Sequence, residues 1–161
     1  MHRTGQVSAA AVAVIIFLLV AAAGGWSQQG DMGGWEEDGA YNRLYKASEL
    51  DKFKAEVIKV TEVVPMEGMA SAIALIVDEG GGEEIVVHVG PKWFLGNSIG
   101  IRRGDRVKIR GSWAEIDGKD VFMAAKIKKG DYFVLKVRLT KNGKPFWSMT
   151  EEELAMERDE D

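Results

Sequence analysis

The stretch that decides the fold runs from Glu84 to Trp113, EIVVHVGPKWFLGNSIGIRRGDRVKIRGSW. Ile85, Val87 and Val89 alternate with Val86 and His88, the period of two that sends successive side chains to opposite faces of a strand. Gly90-Pro91 ends that strand, and Pro91 suits the first position of a short helix, where its missing N–H costs nothing. The adjoining Trp93, Phe94 and Leu95 are predicted to plug one end of a barrel, and Gly96, Asn97 and Gly100 stop the helix soon after. Arg103-Gly104-Asp105 then turns the chain into a second strand. There Val107 and Ile109 alternate with Arg106, Lys108 and Arg110.

Strand periodicity continues on both sides. Upstream, Phe53, Ala55 and Val57 alternate with Lys52, Lys54 and Glu56, after which Ile58 and Val60 become the apolar set. A β-bulge that bends the strand produces such a change of phase. Pro65 to Gly68 breaks the strand, and the near-continuous apolar run Ala70–Val77 reads as a tightly curved central strand. The segment Asp78–Glu83 carries three glycines but no Gly-Lys-Ser/Thr, so it is a hairpin turn and not a phosphate loop. Downstream, Asp117-Gly118 is a two-residue hairpin signal. It leads into Val121, Met123, Ala125 and Ile127, with Lys126 and Lys128 on the other face. Phe133, Leu135, Val137 and Leu139 then alternate with Val134, Lys136 and Arg138, and Asn142-Gly143 returns that strand through Pro145-Phe146-Trp147 as a hairpin.

The ends differ in character from the middle. Residues 1–23 read as a signal peptide or an N-terminal membrane anchor. Arg3 precedes an apolar run from Val7 to Ala23 that ends in three alanines, which predicts a periplasmic, secreted or inner-membrane-anchored protein with its domain outside the cytoplasm. Residues 24–40, with GGW at Gly24–Trp26 and Gly33–Trp35, read as a Gly-rich flexible linker with incidental tryptophans. From Tyr41 to Leu50, Tyr41, Leu44, Tyr45 and Ser48 share helical spacing and predict one short helix or turn packed on the domain, which spans 41–148. The tail, 149–161, is acidic, and Thr150 followed by Glu153 is a capping box that opens a helix.

The 161 residues leave room for one domain plus tails. With no cysteine, disulfides, thiolate metal sites, c-type haem attachment, a lipid-modified cysteine and a cysteine nucleophile are all excluded. The net charge of −4 conceals a strong asymmetry: residues 92–144 hold fourteen bases and five acids, while residues 151–161 hold seven acids and Arg158. Local fields therefore matter more than the total.

The element order, with a long bent first strand and a short helix between strands 3 and 4, resembles the OB-fold. The residues that carry it are Lys52–Val63, Ser71–Val77, Ile85–Val89, Pro91–Leu95, Asp105–Trp113 and Val121–Lys128. Gly104–Gly111, with its GD-x-V-x-I-x-G pattern, is similar to the fourth strand of OB domains, small exported bacterial ones included. The resemblance implies an all-β, five-stranded Greek-key barrel, to which the C-terminal hairpin is an addition. It brings no catalytic residues. OB-folds bind oligonucleotides or oligosaccharides on the strand 2–3 face. The run Ala70–Val77 lacks the aromatic platforms that single-strand binders use, so single-stranded nucleic-acid binding is a second alternative only.

Ser71, Ser98 and Ser112 have no nucleophile-positioning context, and nothing else forms a catalytic constellation, so a non-enzyme is expected. The leading candidate surface is the basic stripe of Arg106, Lys108 and Arg110 with Lys126 and Lys128 on the next strand and Trp113 nearby. It predicts a cell-envelope binding or assembly module that recognises a protein or an anionic surface. Protection of an exposed strand edge is the competing structural explanation. The acidic tail folding back on the stripe is a third, internal one. A separate functional alternative is copper or haem handling. His88, read as a half-exposed strand residue, would then act with methionines such as Met66 and Met69, whose soft thioethers suit copper(I). The membrane-tethered OB-fold haem chaperones of cytochrome maturation suggest that route, but no His-x-x-x-Tyr element follows the barrel here. No cofactor is expected otherwise.

Overall fold

A computed structural model describes residues 31–159. The expected signal peptide or anchor (1–23), the first part of the expected linker (24–30) and the last two residues of the tail lie outside that range. Six strands form one sheet: β1 (Asp51–Val63), β2 (Ala72–Asp78), β3 (Glu84–Pro91), β4 (Arg106–Ile116), β5 (Lys119–Lys129) and β6 (Phe133–Lys136). Helix α1 (Lys92–Leu95) lies between β3 and β4, and α2 (Glu151–Asp159) follows β6. The described part is all-β with few helices.

Strand order is β3-β2-β1-β4-β5-β6, antiparallel throughout, and a parallel contact of β3 with β5 joins Val87 to Phe122 and His88 to Met123. Five strands therefore close into a ring, with β6 as an added edge. The ring depends on β1 being long enough to serve two partners. Asp51–Glu56 pairs with β4 and Glu56–Val63 with β2, the register slipping between Val57 and Lys59 where the bulge was expected. Inside lie Val57, Leu75, Val87, Ile109, Phe122 and Ile127, all fully buried. Val60, read as inward after the bulge, is 36% exposed.

A second register slip lies opposite Ala125, because Arg110 faces Lys126 but Gly111 faces Ala124. Any side chain at Gly111 would overlap the Met123 carbonyl oxygen, so only glycine lets β4 and β5 approach this closely. The same slip explains a correction to the predicted C-terminal hairpin. The amides of Val137 and Arg138 both donate to the carbonyl of Ala125 (2.9 and 3.2 Å), which ends β6 at Lys136. Arg138 is thereby turned inward, 3% exposed, where alternation placed it outside. The return is a single bridge between Arg138 and Pro145, not a strand.

Two other expectations are corrected, and a third becomes specific. Trp35 is not an incidental linker residue but fully buried. Its indole N–H donates to the Ala70 carbonyl (3.0 Å), and its ring meets Tyr41 and Trp147 edge-on at 4.8 and 5.3 Å. Gly33 and Gly34, both at positive φ, lay the chain against Ala70 and Met69, so glycines that resemble a linker in composition here make a close turn. The short helix or turn expected over Tyr41–Leu50 is two 3₁₀ turns, Asn42–Leu44 and Ala47–Glu49. It is interrupted where the Lys46 amide donates to Ser112 Oγ (3.2 Å) instead of to a helical carbonyl. Trp93, assigned to the plug, is 50% exposed, while Leu95 and Trp147 cover Gly90.

Burial of Trp35 predicts that Trp35→Ala destabilises the protein by about 3–5 kcal/mol, measured as a lower urea midpoint at unchanged slope. An unchanged midpoint would return residues 31–40 to the status of a linker.

Candidate functional site

Antiparallel pairing places directly opposed residues on one face, and here it assembles two rows of cations. Lys54 faces Lys108, and Lys108 faces Lys128 across the next strand. One pair further on, Lys52 faces Arg110, Arg110 faces Lys126, and Lys126 faces Lys136 of β6. Seven positive side chains thus stand on one face of β1, β4, β5 and β6, five of them exposed and Lys126 and Lys136 half-buried. Arg106, at the margin, faces Glu56. Of the residues singled out in the sequence, the structure brings Arg106, Lys108, Arg110, Lys126 and Lys128 together. It adds Lys52, Lys54 and Lys136, whose place in the rows depends on a register that no single strand reveals.

Edge protection does not explain the middle of these rows, although Lys52, Lys54 and Lys136 at their ends lie on segments paired on one side only. β4 is paired on both sides along its cationic half, by β1 and by β5, and β5 in turn by β4 and β6. A strand with no free edge needs no charge to guard it. Like charges placed directly opposite one another cost stability, by roughly 0.2–1 kcal/mol a pair.

Trp113 does not join the face. Its ring stacks on Phe53 (6.2 Å between centroids) and meets Phe122 edge-on, its N–H donates to Asp51 Oδ2 (3.1 Å), and it lines a cleft with Asp78, Glu79 and Glu83. Trp113 lies three residues from Arg110, an odd separation that ordinary alternation along β4 sends to the opposite face, which proximity in sequence conceals.

The acidic tail does reach the cations. Thr150 and Glu153 form the predicted capping box, the Thr150 amide donating to Glu153 Oε2 (2.8 Å) and the Glu153 amide to Thr150 Oγ1 (3.2 Å). Glu153 also pairs with Lys144 at 3.0 Å. The Thr150 amide first, and the Lys144 ammonium second, hold the Glu153 carboxyl below its ordinary range. One turn on, Glu157 lines a cleft of about 220 Å³ with Arg110, Lys126, Lys136 and Arg138.

Beneath that cleft Arg138 is a buried cation. Its guanidinium donates to Asn42 Oδ1 (2.6 Å) and to the Gly143 carbonyl (3.3 Å), and lies over the rings of Tyr45 and Trp147 at 5.1 and 4.8 Å. Burial lowers its pKa to about 10, which leaves it charged at neutral pH.

His88, expected to be half-exposed, is buried. It stacks on Tyr41, and its Nδ1 shares a hydrogen bond with the Tyr41 hydroxyl (3.0 Å). Burial pushes its pKa down to about 4, so the imidazole is neutral. Met66 and Met69 lie in the loop between β1 and β2 and pack, half-buried, against the apolar core. Among the described residues no three His, Cys, Asp or Glu side chains are grouped to hold a metal ion.

Residues 49–134 match the MamS/MamX magnetosome protein family, and the chain belongs to that family. No curated protein matches it. Among solved structures it is similar to a chain from a replication protein A heterotrimer bound to single-stranded DNA, at 14% identity and a TM-score of 0.38. That likeness covers 68% of this chain and 66% of the other, just under two thirds of it.

The neutral, buried His88 sets a pH dependence. Its folded pKa lies below the unfolded value of about 6.5, so the unfolded chain binds the proton more readily and stability falls as pH drops from about 6.5 toward 4. The loss approaches roughly 3 kcal/mol. Urea midpoints between pH 7 and pH 5, above most carboxylate titrations, should fall in the parent and be flatter in His88→Gln. Parallel curves would mean that His88 is not the group responsible.

Proposed function

We propose that this protein is a non-enzymatic binding module of the OB type, working outside the cytoplasm at the magnetosome compartment, and that it docks an anionic partner on the cationic face of β1, β4, β5 and β6. The ring of five strands, the bulged first strand shared between two partners and the single-turn helix between β3 and β4 support the OB-like reading. The apolar segment Val7–Ala23 supports the address. Membership of a family named for the magnetosome supports the compartment. Among the described residues no helix is long and apolar enough to cross a membrane.

One observation carries the functional reading: the two in-register rows, Lys54–Lys108–Lys128 and Lys52–Arg110–Lys126–Lys136. Cations aligned at strand spacing across four hydrogen-bonded strands form a stiff positive surface. It raises the local concentration of anions and loses strength with salt over a Debye length of about 8–10 Å. The flexible stems of lysine and the planar fork of arginine let such a surface meet carboxylates or phosphates without a fixed pocket.

The test is salt elution from an immobilised sulfated polysaccharide. The full chain should be retained despite its net charge of −4, and Lys108→Ser/Lys128→Ser, checked for unchanged circular dichroism, should elute at distinctly lower salt. Equal elution of parent and variant would remove the rows from the account.

A further inference from the structure

The face is already partly occupied by the chain itself, and the occupant indicates which class of anion fits. Glu153 and Glu157 are four residues apart and share one side of α2. Glu153 holds Lys144 at 3.0 Å, and Glu157 lines the cleft with Arg110, Lys126 and Lys136, three of the four cations of the longer row. Exposure follows the same division. Glu153, Leu154 and Glu157 are half-buried, whereas Glu151, Glu152, Ala155 and Met156 are exposed. The helix therefore turns an acidic side, with one leucine, toward the basic cleft and leaves its other side to solvent.

Among the described residues its attachment is slight: it makes the Glu153–Lys144 ion pair, lines the cleft through Glu157 and half-buries Leu154, none of the cluster of buried core residues belongs to it, and five of its nine residues are acids. A nine-residue helix has little stability of its own. Meanwhile the shorter row, Lys54, Lys108 and Lys128, continues the same cationic surface beyond the cleft that α2 reaches.

Resting on the docking reading above, we propose that the partner is an acidic, helix-forming segment of another protein. The chain's own α2 is then an internal competitor that holds the Arg110–Lys126–Lys136 end of the face until such a segment displaces it. An external acidic helix able to span both rows gains contacts that α2, tethered through Thr150, does not make. When a tail occupies its site nine-tenths of the time, apparent affinity for an external ligand falls about tenfold, so the device sets a threshold and not a block.

The experiment uses the full chain and its tail variant Glu151→Gln/Glu152→Gln/Glu153→Gln/Glu157→Gln. Each is titrated at low salt with a labelled synthetic peptide of residues 150–161, TEEELAMERDED, and with vesicles containing anionic phospholipid. The proposal predicts that the peptide binds the tail variant about tenfold more tightly than the parent, and that Lys126→Glu/Lys136→Glu in the tail variant abolishes the gain. Equal peptide affinity for parent and tail variant would overturn the competition while leaving the docking face intact. Binding to vesicles or to the sulfated matrix without peptide binding would overturn the acidic-helix partner. Loss of binding to all three probes would overturn the docking reading as well.

Discussion

The pairing of β4 with β5 is the constraint on which the rest of the structure depends. These strands make the longest ladder in the sheet, and its register is held by Val107 and Ile109 on one strand and Ile127 on the other, all facing the core. That register has two consequences. Past the slip at Gly111, β5 swings round far enough to meet β3 and close the ring. Before it, Lys108 is set opposite Lys128 and Arg110 opposite Lys126. A shift of one residue would turn the charges inward and the valine and isoleucines outward, so closure of the core and alignment of the cations are one geometric fact.

The two ends of the domain are joined through Arg138. Its guanidinium reaches Asn42, 96 residues earlier, and Asn42 in turn donates to the carbonyls of Trp35 and Glu36 (2.8 and 2.7 Å). Trp147 closes the circuit by donating to the Trp35 carbonyl (2.9 Å). A buried cation is costly unless its donors are satisfied. Here an amide oxygen, a backbone carbonyl and two aromatic faces do so, leaving the positive charge beneath the cleft that Glu157 lines. The same network holds Tyr41 in place over His88, which keeps the imidazole dry and neutral.

Much of this was legible in the chain because local rules governed it. The alternations at Phe53–Val57, Ile85–Val89 and Arg106–Arg110, the bulge after Val57 and the Thr150–Glu153 capping box each depend on a few neighbouring residues. What sequence did not reveal depends on distant partners. Trp35 reads as linker because its neighbours are glycines and acids, and only the surface made by Tyr41, Ala70 and Trp147 makes it core. Arg138 reads as an outward strand residue until two successive amides share the Ala125 carbonyl. Lys52, Lys54 and Lys136 look like ordinary solvated lysines until pairing lines them up with Lys108, Arg110 and Lys126. Trp113, by contrast, looks close to the stripe but lies an odd number of residues from Arg110 and so on the other face.

The middle of the rows, Lys108 and Arg110 on β4 with Lys126 and Lys128 on β5, sets like charges opposite one another on strands paired on both sides, at a cost to the fold that the proposed docking face has to account for. Urea unfolding of Lys108→Glu at low ionic strength measures it, since the substitution sets a carboxylate between Lys54 and Lys128. The account predicts a gain in stability of roughly 1 kcal/mol, from relieved repulsion on either side, that shrinks as salt is added. A loss of stability, or no change at any salt concentration, would contradict it, because the rows would then carry no strain for a binding role to explain.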